Sequence, residues 1–78
     1  MKNILVLVNA YGSNSILFFD RVEEIELKDR IMIRYSSNQI RYYPYEGEDF
    51  DNLDVIARML GTTKENLVRS SPMWDGKG

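Results

Sequence analysis

Up to residue 45 the apolar side chains of this chain recur at every second position or in short unbroken runs, and from Asp49 or Asp51 onward they recur at helical spacing. A strand-forming stretch followed by a helix-forming stretch cannot supply the alternating units of a parallel sheet, so the pattern is that of an α+β domain. The expectation is an antiparallel sheet of four or five strands, with a C-terminal pair of short helices packed on one face. At 78 residues the chain has room for a single core, read as one domain over residues 1–70 with a tail at 71–78.

The first strand is the run Ile4 to Val8, bounded by Asn3 and Asn9. It is too short for an export signal or a membrane span, and its unbroken apolar character reads as a strand buried on both faces. "YGSNS" is loop chemistry, and "ILFFD" is a second strand. Alternation is clearest over "VEEIELKDRIMIRYSSNQIRYYPY", where three strands fit. Ile25 and Leu27 alternate with Glu24 and Glu26, and Ile31, Ile33 and Tyr35 with Arg30, Met32 and Arg34. "KD" and "SSNQ" are the turns, and Pro44, which cannot donate to a ladder, marks an edge or the end of the last strand.

In the helical part Leu53, Ile56, Ala57 and Leu60 line one face, with Asp54 and Arg58 opposite. Asp51 suits the N-cap, Asp54 places negative charge in the first turn, and Gly61 supplies the left-handed stop. Thr62 and Glu65 have capping-box spacing, and Leu67 and Val68 give a short second helix its apolar side. Pro72, Met73 and Trp74 follow in the tail, where the tryptophan either caps the core or projects as an anchor for another chain.

The chain has no cysteine and no histidine. Disulfides and thiolate zinc sites are excluded, the default location is a reducing cytoplasm, and the commonest general base and transition-metal ligand are missing. No phosphate loop, serine elbow or calcium loop is present; counted from Asp49, the calcium-loop positions five and six are Leu53 and Asp54. The expectation is a non-enzyme without metal, cofactor or membrane association.

Net charge is −2, and the acidic excess is local: Glu46, Glu48, Asp49, Asp51 and Asp54 fall within nine residues. Such a cluster is either a solvated loop and helix start or an anionic patch that docks on a basic protein surface. Tyr43, Tyr45 and Trp74 are the aromatic anchors such a patch would use. Arg30, Arg34 and Arg41 could share a sheet face with Tyr43 or Tyr45, as in sheets that stack single-stranded nucleic acid, or they could simply pair across strands with Glu24 and Glu26.

The segment "LDVIARMLGTTKENLVRSS", residues 53 to 71, resembles the helix-turn-helix unit of bacterial and phage DNA-binding proteins. Ile56, Ala57, Gly61 and Leu67 fill its apolar, small, turn and anchor places, and Thr62 stands where an aliphatic residue is usual. The resemblance implies a second helix in the major groove, with Thr63, Lys64 and Arg69 contacting bases or phosphates, in a dimer if two weak half-sites are to add. A pair of short helices covering a sheet needs the same residues. The chain is also similar in general character, being compact, acidic and free of Cys and His, to small phage or mobile-element proteins, including inhibitors of host defence such as anti-CRISPR proteins. The leading expectation is therefore a small non-catalytic module that occludes a site on a larger, nucleic-acid-handling protein; the alternative is a small DNA-binding regulator.

Overall fold

The computed structural model describes residues 3–70. The expected tail and its Trp74 lie outside the described residues. The elements run β1 (Ile4–Val8), β2 (Asn14–Phe18), β3 (Val22–Leu27), β4 (Ile31–Tyr35), β5 (Ile40–Tyr43), α1 (Asn52–Met59) and α2 (Lys64–Ser70), with a 3-10 turn at Phe19–Arg21. The α+β class and the order of strands before helices are as the periodicity requires.

The strands do not form one sheet. β1 and β2 make a two-stranded antiparallel ribbon, and β3, β4 and β5 a separate three-stranded sheet in sequence order. The division falls at Phe19–Arg21, where Val22 N–H bonds back to Phe19 C=O. That turn closes no hairpin bond between β2 and β3, so the expected continuous sheet is broken there.

Two hairpins use the same three-residue turn. Gly12 N–H donates to Asn9 C=O at 2.9 Å, and Asn38 N–H donates to Tyr35 C=O at 2.8 Å. Gly12 (φ 84°) and Asn38 (φ 68°) adopt the left-handed conformation that ends such a turn, which glycine and asparagine tolerate best. The β3–β4 connection also has three residues, Lys28 to Arg30, because Leu27 pairs with Ile31; the two-residue "KD" turn is one residue too short. β5 stops at Tyr43, immediately before Pro44, as expected from its missing N–H.

Helix α1 begins as its sequence predicts: the Asp51 side chain accepts from Asp54 N–H at 3.1 Å. It ends with Gly61 N–H on Arg58 C=O and Thr62 N–H on Ala57 C=O, the paired bonds of a Schellman stop, with Gly61 at φ 74°. Leu53, Ile56 and Ala57 are buried, whereas Leu60, expected on the same face, is exposed at the C-cap. The cap of α2 is one residue later than expected: Thr63 Oγ1, not Thr62, accepts the Asn66 N–H.

The core joins both sheets to α1 through Leu5, Leu7, Leu17, Ile31, Ile33, Tyr43 and Ile56. Asn52 is the buried polar residue among them, 1% exposed. Its Oδ1 accepts from Val8 N–H at 2.9 Å, and its Nδ2 donates to Val8 C=O and Pro44 C=O, each at 2.8 Å. One side chain thus closes the end of β1 like a neighbouring strand and ties it to the start of α1 and the exit of β5.

Candidate protein interface on the β1–β2 ribbon

Cross-strand partners share a face, so the register Ile4↔Phe18, Leu5↔Leu17, Val6↔Ile16, Leu7↔Ser15 and Val8↔Asn14 divides the ribbon cleanly. Leu5, Leu7 and Leu17 face the core. The other face carries Ile4, Val6, Ile16 and Phe18, exposed by 39%, 43%, 66% and 55%. The unbroken apolar run of β1 is therefore buried on one face, not on both: two short helices and a second sheet supply enough surface to cover the inner side alone. Among the described residues no charged side chain lies on the outer face, and four large apolar side chains stand adjacent on it. Contiguous apolar surface of this kind is a candidate contact site, whereas scattered exposed residues need no explanation.

Charge lies at the margins. Val8, Gly12 and Asn14 at the turn end line a cleft with Glu48, Asp49 and Phe50, so two carboxylates border the apolar face there. The loop holding them is closed by the bridge Glu46↔Asp51 and by Gly47 N–H on Phe50 C=O. Along β2, Ile16, Leu17 and Phe18 line a groove with Arg21, Tyr35 and Arg41. At Tyr35 burial pushes the hydroxyl pKa up and the nearby Arg41 opposes it.

The five clustered carboxylates are not equivalent. Lys64 Nζ lies 3.1 Å from Glu46 and 2.6 Å from Asp51, and Arg58 lies 2.9 Å from Asp54. At Asp51 burial raises the carboxyl pKa, but hydrogen bonds from Lys64 and Asp54 N–H outweigh it and hold the group below its ordinary value. The Asp51 and Glu46 bonds push the Lys64 ammonium well above its ordinary value. Glu48 and Asp49, which have no cationic partner among the described residues, remain as the outward-facing pair.

The tyrosines also divide. Tyr43 is 2% exposed and belongs to the core, so it does not serve as a surface anchor. Tyr45 is half-buried and its hydroxyl donates to Lys28 C=O. The register sets Arg34 opposite Ile40 and Arg41 opposite Ile33, on opposite faces of the three-stranded sheet, so the three arginines do not share one. On its outer face Tyr42 is covered by the Arg30 guanidinium, 4.1 Å from the ring centre, and Arg34 pairs with Glu23 and Glu24 at 3.0 and 3.1 Å. Arg34 is thus engaged by cross-strand glutamates, and Tyr42, 49% exposed, carries a guanidinium over its ring.

On the helical pair, Thr63 caps α2, Lys64 is held by two carboxylates, and Arg69 is exposed in the last turn. Among the described residues no three acidic side chains cluster so as to hold a metal ion, and no helix is long and apolar enough to cross a membrane.

Apolar residues on both sides of a strand erase the alternation that reveals an outer face, so the ribbon face is not legible in the sequence. The usable signal was a ratio: two fully apolar strands against too few covering elements. The chain matches no protein-family model, no curated protein and no solved structure.

Proposed function

We propose that this chain is a small non-catalytic protein-binding module that docks a larger protein through the outer face of the β1–β2 ribbon. The observation that carries this reading is the charge-free face of Ile4, Val6, Ile16 and Phe18. An apolar centre with charged margins is the anatomy of a protein interface. Glu48 and Asp49 form an acidic margin that suits a partner with basic residues beside an apolar patch, as on a protein that handles nucleic acid. Binding there would occlude the partner's site, the mode expected of a phage-type inhibitor resembling anti-CRISPR proteins.

Burying the exposed half of each of four side chains contributes about 1 kcal/mol apiece. The gross sum of about 4 kcal/mol corresponds to only about millimolar affinity. The face is therefore the centre of an interface whose margins must contribute further bonds.

The test compares the native chain with Val6→Glu and Ile16→Glu for formation of a stoichiometric complex with a purified partner, folding being checked by circular dichroism. Loss of the complex in both variants with folding intact is the expected result; retention would refute the reading. Glu48→Gln with Asp49→Asn should weaken the complex and reduce its salt dependence.

The DNA-binding alternative would rest on Thr63, Lys64 and Arg69. Phosphate contact needs several available cations, and the engagement of Lys64 by Glu46 and Asp51 counts against it. A duplex shift assay at two salt concentrations, with Arg69→Ala as control, separates the readings: a salt-sensitive shift lost in Arg69→Ala favours the regulator.

A further inference from the structure

The outer edge of β2 is open, and the hydrogen-bond pattern shows which atoms it offers. Phe19 N–H bonds Asn3 C=O and Asn9 N–H bonds Ser13 C=O, each at 2.8 Å, so the hydrogen-bonded pairs of the ribbon are the odd-numbered ones. The N–H and C=O groups of Asn14, Ile16 and Phe18 therefore point away from β1. On β1 the corresponding groups of Val8 are taken by Asn52. On β2 no protein group among the described residues takes them.

The two edges of the three-stranded sheet are blunted by charge or proline, and β1, whose Ile4 and Val6 groups also point outward, is engaged by Asn52 at Val8. β3 carries Glu23, Glu24 and Glu26, and β5 carries Arg41 and stops before Pro44. The sequence of β2, Asn-Ser-Ile-Leu-Phe, has neither device. Three consecutive residues, Ile16, Leu17 and Phe18, line the adjacent groove. Neighbours on opposite faces of a strand can do so only if the groove follows its edge.

Arg21 and Arg41 line that groove together with the Ser36–Ser37 turn, and no carboxylate does. Among the described cations Lys28, Arg34, Arg58 and Lys64 are ion-paired and Arg30 lies on Tyr42, leaving Arg21, Arg41 and Arg69 without a partner. Two of those three stand at this edge.

We propose that the open edge of β2 accepts an extended, carboxylate-bearing peptide segment of the partner as an added strand. Asn14, Ile16 and Phe18 supply its main-chain bonds, and Arg21 and Arg41 read its acidic side chains. A second copy of this chain is the poorer occupant, since twofold pairing through β2 would bring both copies' arginines to one interface. The inference rests on the ribbon being the docking element, and it supplies the additional bonds that the apolar face needs.

The experiment titrates the full chain with fluorescent, end-capped peptides of four Val–Glu repeats, four Val–Lys repeats, and four Val–Glu repeats N-methylated at alternate residues. Expected is binding of the Val–Glu peptide about tenfold tighter than either control, reversal of the charge preference in Arg21→Glu with Arg41→Glu, and slowed amide exchange at Ile16 and Phe18. Equal binding of the Val–Lys peptide, indifference to N-methylation, or absence of binding overturns the proposal. So does a dimer through β2 that the Val–Glu peptide cannot dissociate. Val6→Glu alters the face and not this edge, so it separates the two readings. A partner complex sensitive to Val6→Glu beside a failed Val–Glu titration refutes only the added strand. Peptide binding without a Val6-sensitive complex refutes only the face.

Discussion

Replacing Asn52 by alanine removes three hydrogen bonds at once, to Val8 N–H, Val8 C=O and Pro44 C=O. At about 1 kcal/mol net for each bond, the expected loss is about 3 kcal/mol. A domain of 78 residues has a total stability of about 4–12 kcal/mol. The loss is thus a large fraction of the whole, equivalent to a fall in Tm of about 12–24 °C. Urea unfolding followed by circular dichroism measures it, and amide exchange at Val8 locates it: that N–H should be protected in the native chain and exchange freely in the variant. A loss under about 1 kcal/mol, or a Val8 amide still protected, would refute the assignment of Asn52 as the tie between ribbon and helix. Asn52→Asp extends the test to pH. A carboxylate facing two carbonyl oxygens has its folded pKa raised, so this variant is relatively stable below the ordinary carboxylate range and weakens as pH rises through the raised value.

Lys64→Met breaks both acidic contacts of α2 and should cost up to about 1 kcal/mol, less at high salt because the pair is partly exposed. The native chain holds Asp51 below its ordinary pKa, so that contribution is present above the ordinary carboxylate value and is lost as pH falls through the depressed one. The acid limb of a stability–pH curve should be shallower in Lys64→Met. Gly61→Ala meets no atom within 4 Å, so its cost is the left-handed backbone alone, about 1 kcal/mol by thermal unfolding.

Elements whose signals are local could be read from the chain. Asp51, the buried positions Leu53, Ile56 and Ala57, and the stop at Gly61 lie within one short window and define α1 without reference to the rest of the molecule. The alternation around Ile31 and Ile33 and the proline after Tyr43 do the same for β4 and β5. What escaped depends on distance. That Lys64 meets Glu46 and Asp51, 18 and 13 positions away, is decided by how α2 returns past the loop. That Tyr43 faces the core while Tyr42 faces outward turns on a single position of register. The division into two sheets depends on three residues, Phe19–Arg21, whose composition does not distinguish a helical turn from strand.

Every strand pairs only with its neighbour in sequence, β1 with β2, β3 with β4 and β4 with β5. Chain closure for the backbone ladders is therefore local, and hairpins of this kind form in about 1–10 μs. The contacts that must wait are those of the core and the one between Val8 and Asn52, 44 positions apart. The ribbon can therefore form as a hairpin before it is anchored, and its position against the second sheet and α1 is fixed only when Asn52 and the core residues Leu5, Leu7 and Leu17 engage.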